Sequence, residues 1–157
     1  MKTRFLYICV SILFVSSAWL PSPKEEKTAF YQGSYDNFLR EAQKLHRPIL
    51  IDFWASWCGP CKKMDAETYS NEDLAEFLNN NFLVYRVNID SFEGMEIVEK
   101  FEVKVFPTIL VGDYRANEIA QLTGFYNPRY LENTLKSLND KNRFFYPVAK
   151  ENYVSNR

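Results

Sequence analysis

Cysteine is scarce in this chain, which has three cysteines and a single histidine among 157 residues. So few cysteines exclude a small domain that is held together by several disulfides. They also argue against a structural zinc site, which takes four ligands, because no second cysteine pair accompanies Cys58 and Cys61. The lone His46 lies at the end of a predicted helix and is expected on the surface. We therefore predict no metal site.

An excess of charge of either sign is also missing. The chain has 19 Lys and Arg residues against 20 Asp and Glu residues, for a formal net charge of -1. Without a broad positive field, the charge gives no support for nucleic-acid binding. The hydrophobic content of 46% and the aromatic content of 17% are those of a globular domain with a well-filled interior. The length suits one domain with an extension, and no internal repeat is present.

The N-terminus departs from this average. Lys2 and Arg4 precede an uncharged, largely apolar run over residues 5–20, which is the pattern of a secretory signal peptide. The small residues Ser16 and Ala18 fit cleavage after Ala18. An uncleaved membrane anchor stays open, although the run is shorter than the span of about 20 residues that a bilayer requires. In either case we expect an exported protein.

The rest of the chain divides into a polar linker (21–29), one domain (30–138) and a polar tail (139–157). Within the domain, Ser34 is the predicted N-cap of an amphipathic helix, and residues 49–55 form a strand that is buried on both faces. A helix begins at Gly59 and is interrupted near residues 68–71; Ser70 and Asp73, at capping-box spacing, restart it.

The predicted element order is helix, strand, helix in two parts, strand, helix, strand, strand, helix. Helices between the early strands imply parallel pairing there, and the last two strands form an antiparallel hairpin. The sequence therefore predicts the α/β class, with a central mixed sheet that is flanked by helices on both faces.

Cys58 and Cys61 are separated only by Gly59 and Pro60, between the buried strand and the next helix. A bridge over so short a span stabilises a domain little, so we expect the pair to act chemically. The helix N-terminus favours a thiolate, which makes Cys58 the predicted nucleophile. Cys61, one turn further on, is the predicted resolving cysteine, which attacks Cys58 and releases the reduced substrate. Pro60 stiffens the turn, and Trp57 provides an apolar rim.

Asp52 interrupts the apolar strand. A buried carboxylate is costly and should have a raised pKa, so Asp52 is a candidate proton acceptor for Cys61. A hydrogen-bonded structural role is the alternative. Arg86, on the second strand, either pairs with Asp52 or reaches the surface. Lys62 and Lys63 either assist the thiolate or are solvated helix charges, and we favour the second interpretation.

The segments IDFWASWCGPCKK (51–63), RVNID (86–90) and VFPT (105–108), followed by Gly124, resemble the thioredoxin superfamily over about residues 30–138. The resemblance implies a thioredoxin-like fold and a cis peptide bond at Pro107, beside which a substrate chain pairs as an added strand. It implies no cofactor beyond the redox-active Cys58–Cys61 disulfide. The substrate-binding residues that we predict are Trp57, Gly59, Pro60, Phe106 and Pro107.

A closer likeness is to the C-terminal periplasmic domain of transmembrane thiol:disulfide interchange reductases and to exported relatives. It is carried by residues 45–58, 67–78 and 123–131. The chain departs from thioredoxin at Ala66, where that protein has a helix-kinking proline, and in extra residues near 68–71. This likeness implies a monomer in the periplasm, soluble or tethered by its N-terminal segment, with protein thiols and disulfides as substrates and a membrane or periplasmic electron donor.

We therefore predict a protein-disulfide reductase. Gly-Pro between the cysteines resembles the reducing members, whose potentials are about -270 mV. A disulfide oxidase or isomerase is the first alternative, because an exported location suits it. A binding module that uses the groove near Pro107 without turnover is the second, although the presence of both Cys58 and Cys61 argues against it.

Overall fold

The computed structural model describes residues 27–142. The predicted signal peptide, most of the predicted linker and the predicted tail beyond residue 142 lie outside the described residues. The elements follow the predicted order. They are α1 (Tyr35–Leu45), β1 (Ile49–Trp54), α2 (Gly59–Lys63), a π-helix (Met64–Thr68), α3 (Glu72–Asn81), β2 (Leu83–Asn88), α4 (Phe92–Lys100), β3 (Thr108–Gly112), β4 (Glu118–Thr123) and α5 (Pro128–Asn142).

The four strands form one mixed sheet in the order β2-β1-β3-β4. β1 pairs in parallel with β2 and antiparallel with β3, and β3 pairs antiparallel with β4. The crossover through α2, the π-helix and α3 makes the β1–β2 pair parallel, since a parallel pair needs a long connection. This mixed sheet confirms the predicted fold class.

Each face of the sheet carries its own apolar core. Alternation along β1 sends Leu50 to the face covered by α3 and α5, and Ile49, Ile51 and Phe53 to the face covered by α1 and α4. All four side chains are fully buried, as predicted for a strand between two helical layers. By the same alternation, Asp52 shares the face of Leu50.

Two helix starts show how local sequence sets the boundaries. Ser34 is the N-cap of α1, as predicted, and its side chain accepts a hydrogen bond from the Asn37 amide. The predicted capping box of Ser70 and Asp73 is wrong, because Asn71 caps α3 and accepts a hydrogen bond from the Leu74 amide. Ser70 instead donates to the Asp65 carbonyl oxygen and closes the preceding helical turn.

A π-helix interrupts the segment between α2 and α3. Its widened turn is closed by the Tyr69 amide, which donates to the Met64 carbonyl oxygen five residues earlier at 2.9 Å. Thr68 fixes the turn from outside by donating its hydroxyl to the Tyr126 carbonyl oxygen at 2.6 Å. The interruption that the sequence indicated near residue 68 is thus an expanded turn followed by a new N-cap.

The segment before α1 packs on the domain. Thr28, within the predicted linker, is buried, and its amide and hydroxyl both donate to the Tyr69 carbonyl oxygen, at 3.3 and 3.0 Å. Phe30 forms an isolated parallel bridge with Val84 on β2, and the Tyr31 amide donates to the Val84 carbonyl oxygen at 2.7 Å. The polar composition of residues 21–29 gave no sign of the Thr28 contacts, whereas Phe30 and Tyr31 lie inside the predicted domain.

α5 continues to Asn142, past the Leu138 boundary that the sequence suggested. Its Leu131 and Leu135 are fully buried in the core between α5 and the sheet. Among the helices of the described part, none combines the length and the apolarity that crossing a membrane requires.

Gly94 tests how closely α4 packs on the end of β2. A Cβ atom at Gly94 would lie 1.9 Å from the Asn88 carbonyl oxygen, which is backbone and cannot move aside cheaply. We expect Gly94→Ala to lower the free energy of unfolding by about 1–3 kcal/mol, measured by urea denaturation. Gly59→Ala is the matched control, because a Cβ there meets nothing within 4 Å. Equal stability of the two variants would contradict this packing.

Candidate active site

The two cysteines lie where β1 passes through a short turn into α2. Cys58 is the N-cap residue of α2, and its sulfur accepts a hydrogen bond from the Cys61 amide at 3.2 Å. Cys58 and Cys61 form a disulfide with a Cα–Cα distance of 5.3 Å. Pro60 lies in the first turn, where a missing N–H costs no helix hydrogen bond. The structure thus places the predicted nucleophile and resolving cysteine in direct covalent contact.

Access to the disulfide is narrow. Cys58 is 4% exposed and Cys61 is 1% exposed, so the nucleophile is slightly more accessible than the resolving cysteine. Trp57, in contrast, is 65% exposed, and its indole N–H donates to both carboxylate oxygens of Asp90 at 3.1 Å. This bond ties the tryptophan to the loop that precedes α4 and holds an apolar surface beside Cys58.

The segment before β3 packs against the two cysteines. The Phe106–Pro107 peptide bond is cis, as the resemblance implied. Phe106 packs against the small cluster that contains Ala55 and both cysteines. Pro107 is buried, and its carbonyl oxygen accepts a hydrogen bond from the Gly124 amide at 2.8 Å. Gly59 and Pro60 are exposed on the active-site turn.

Asp52 lies beneath this surface. It is 1% exposed, and burial raises the pKa of its carboxyl from 3.8 to about 6, since the charged form is poorly solvated there. Arg86 opposes this rise by stabilising the carboxylate, whereas the charge of Asp65 adds to it. A carboxyl with a pKa near 6 exchanges protons close to neutral pH, as a general base must.

Arg86 resolves one alternative that the sequence left open. It is the register partner of Asp52 across the β1–β2 pair, and its Nε donates to Asp52 Oδ2 at 3.0 Å. Its Nη2 lies 2.6 Å from Asp65 Oδ1, so one guanidinium bridges two carboxylates. The same guanidinium lies 4.3 Å from the Trp54 ring centroid and 5.2 Å from that of Phe30.

The lysines beside the active site make surface contacts. Lys63 lies 3.9 Å from the Glu67 carboxylate and 4.3 Å from the centroid of the Phe125 ring, and both Lys62 and Lys63 are exposed. These contacts favour the interpretation as surface charges. Within residues 27–142, no group of three or more His, Cys, Asp or Glu side chains is placed to hold a metal ion.

Three residues near the site escaped sequence reasoning. Asp90 ends the RVNID segment, and nothing in the sequence marks it as a partner of Trp57. Asp65 carried a usable signal, because it stands four residues after Cys61 and so falls on the same side of a helix. Tyr69 is buried in the core beside Met64 because the widened π-turn shifts the helical register there, which no apolar period predicts.

The buried carboxyl of Asp52 makes stability depend on pH. Its pKa in the folded protein, about 6, lies above the ordinary value of 3.8, so the stabilisation that it supplies when protonated is lost as pH rises through about 6. Asp52→Asn removes this loss, and we expect the variant's advantage in unfolding free energy to grow by about 3 kcal/mol between pH 3.5 and 7.5. Urea denaturation at the two pH values measures it. The exposed control Asp140→Asn should show no such growth; a pH-independent advantage for Asp52→Asn would refute the raised pKa.

Comparison with known proteins agrees with this geometry. The family model described as a thioredoxin-like domain matches residues 35–139. The thiol:disulfide interchange protein DsbD of Yersinia pestis (strain Pestoides F) is 34% identical over 100 residues, which cover 59% of this chain and 17% of that protein. The chain therefore spans about a sixth of that relative's length.

Two solved structures share the fold. A DsbH oxidoreductase superposes with a TM-score of 0.64 at 20% identity and covers 77% of this chain and 92% of its own. The C-terminal domain of Neisseria meningitidis DsbD in the oxidised form gives a TM-score of 0.58 at 20% identity, covering 69% and 98%. The matched region contains β1, the Cys58–Cys61 turn and Pro107. The chain belongs to the family of thioredoxin-like domains.

Proposed function

We propose that this protein is a thiol:disulfide oxidoreductase that reduces disulfides in other proteins through Cys58 and Cys61. The observation that carries the proposal is the disulfide between the N-cap residue of α2 and a cysteine one turn inside it. The homology to a thiol:disulfide interchange protein supports the same chemistry. The electrons of the proposed reaction pass only between this pair and the substrate sulfurs.

The reaction starts from the reduced pair. The Cys58 thiolate attacks a substrate disulfide, one Cys58–substrate bond forms, and the first substrate sulfur leaves with its electron pair as a thiolate. Cys61 then attacks Cys58, the Cys58–Cys61 bond forms, and the second substrate sulfur leaves as a thiolate. The substrate gains two electrons and the protein ends in the disulfide state that the structure contains.

Asp52 is the proposed proton acceptor of the second step. Cys61 must lose its thiol proton before it attacks, and it is 1% exposed, which keeps bulk water from taking that proton. Arg86 ties Asp52 to Asp65, which follows Cys61 by four residues, so the carboxyl lies beneath the active-site helix. A pKa of about 6 lets the Asp52 carboxyl take up and release a proton near neutral pH, which favours the role of proton acceptor over a purely structural role.

Substrate binding is proposed at the surface around the disulfide. Trp57, held by Asp90, supplies an exposed apolar face, and Gly59 and Pro60 leave the approach to Cys58 free of bulky side chains. Phe106 and Pro107 form the other side, where an extended substrate segment would pair with the backbone. The small exposed fraction of Cys58 favours substrates whose disulfide lies on an extended, accessible segment.

A separate electron donor follows from the proposed direction. Reduction of substrates consumes the dithiol and leaves the Cys58–Cys61 disulfide, which must be reduced again before the next turnover. We propose a membrane or periplasmic dithiol protein for this role. An oxidase or isomerase working in the opposite direction uses the same residues, and the reduction potential distinguishes the two.

The resolving role of Cys61 predicts a trapped intermediate. Cys61→Ser leaves Cys58 able to attack but removes the second step, so we expect a stable mixed disulfide with a disulfide-containing peptide, visible by mass spectrometry. Cys58→Ser should form no mixed disulfide.

The reduction potential tests the direction of the reaction. The purified protein, equilibrated with glutathione, should give a potential of about -270 mV. A potential above about -180 mV would assign an oxidase or isomerase instead, and no adduct with either variant would favour a binding module.

Export remains a proposal that rests on residues 1–20. Two cations followed by an uncharged apolar run support a signal peptide, and an uncleaved anchor would tether the same domain outside the cytosol. Expression of the full chain in a Gram-negative host, followed by fractionation and N-terminal sequencing, tests it. We expect a periplasmic product that begins near residue 19, or an intact membrane-bound chain if the segment is an anchor. A cytosolic product with an intact N-terminus would contradict export.

A further inference from the structure

Tyr69 is a buried residue that the mechanism above does not use. It is 4% exposed and directly follows the π-helix. Its ring packs edge-on against Phe30 with a centroid distance of 5.3 Å and an interplanar angle of 79°. Its carbonyl oxygen accepts two hydrogen bonds from Thr28, and its amide closes the π-turn. Backbone and ring are therefore both fixed.

The hydroxyl of Tyr69 interacts electrostatically with the carboxyl of Asp52, and more weakly with Arg86 and Asp65. Tyr69 packs in the core on the sheet face of Leu50, which Asp52 shares by the alternation along β1, and the Tyr69 side chain favours the charged form of Asp52 and so lowers its pKa. Asp52 Oδ2 accepts a hydrogen bond from Arg86, whereas Asp52 Oδ1 and the Tyr69 oxygen are both buried without a hydrogen-bond partner. A buried hydroxyl and a buried carboxylate oxygen each cost free energy unless they pair.

The π-helix explains why this tyrosine reaches the carboxyl. A π-turn holds one residue more than an α-turn, so the chain beyond it is rotated by about 100° relative to a continued α-helix. Tyr69 is the first residue beyond that turn. Burial raises the pKa of Tyr69 well above 10, so its hydroxyl stays protonated and can donate at every pH at which the protein works.

We propose that Tyr69 is a positioning residue for the exchange reaction, and that its hydroxyl donates to Asp52 Oδ1 and holds the carboxylate ready to accept the Cys61 proton. This rests on the proposed function. The charged and titratable groups that face Asp52 are Arg86 from β2, Asp65 from the π-helix and Tyr69. When Cys61 attacks Cys58, its proton passes to Asp52, the Cys58–Cys61 bond forms, and the substrate sulfur leaves with the electron pair.

The test compares Tyr69→Phe with Tyr35→Phe in the full chain. Tyr69→Phe removes the hydroxyl and keeps the ring against Phe30. Tyr35→Phe removes a hydroxyl that is also buried without a hydrogen-bond partner, but in the core on the opposite face of the sheet. Carbon NMR titration of the Asp52 carboxyl measures its pKa, and rapid mixing measures the pH dependence of mixed-disulfide resolution.

We expect Tyr69→Phe to raise the pKa of Asp52 by about half to one pH unit, the equivalent of one hydrogen bond. The acid limb of the resolution rate should move upward by the same amount, because less carboxylate is present at a given pH. Tyr35→Phe should move neither. An unchanged pKa of Asp52 in Tyr69→Phe, or an equal shift in both variants, would overturn the proposal.

Asp52→Asn separates this inference from the proposed function. If Asp52 accepts the Cys61 proton, Asp52→Asn removes the acid limb of the resolution step, whatever Tyr69 does. If Asp52→Asn leaves the pH profile unchanged, Asp52 is not the proton acceptor. The predicted effect of Tyr69 on the rate of resolution is then refuted as well. If Asp52→Asn removes the limb and Tyr69→Phe leaves it in place, the role of Tyr69 alone is refuted.

Discussion

The ion pair between Asp52 and Arg86 joins the sheet to the reactive turn. The parallel register of β1 and β2 sets the two residues opposite each other, so the guanidinium reaches the carboxylate without distortion of either strand. Arg86 also holds Asp65, which belongs to the helical segment that begins at Cys58. One guanidinium thus connects the central strand of the sheet to the helical segment that follows the disulfide.

The burial of Asp52 costs stability and raises the pKa of its carboxyl towards neutral pH. An isolated carboxylate at 1% exposure would be protonated over most of the physiological range, and a fully paired one would be too weak a base. Burial raises the pKa of Asp52, whereas the Arg86 guanidinium, which is shared with Asp65, and the Tyr69 side chain lower it. The pKa of Asp52 comes to about 6 as a result. Functional sites commonly retain such unfavourable burial, because a better-satisfied group would not react.

Much of the fold and the covalent chemistry could be predicted because they follow from local patterns. The apolar run of β1, the cap at Ser34 and the Cys58–Cys61 spacing each specify structure within a few residues. The network around Asp52 could not be predicted in the same way. Whether Arg86 pairs with Asp52 or reaches the surface depends on the register of the two strands. The burial of Tyr69 depends on a π-turn. Both are properties of the assembled sheet and helices rather than of a sequence window.

The bridge between Phe30 and Val84 has a consequence for the behaviour of the protein in concentrated solution. β2 lies at one edge of the sheet, and an edge strand with free N–H and C=O groups is a template on which a strand of another molecule can pair. The Tyr31 amide already occupies the Val84 carbonyl oxygen, and the aromatic rings of Phe30 and Tyr31 pack beside that edge. The segment thereby covers the part of the β2 edge around Val84, so a strand of another molecule cannot pair there without displacing it.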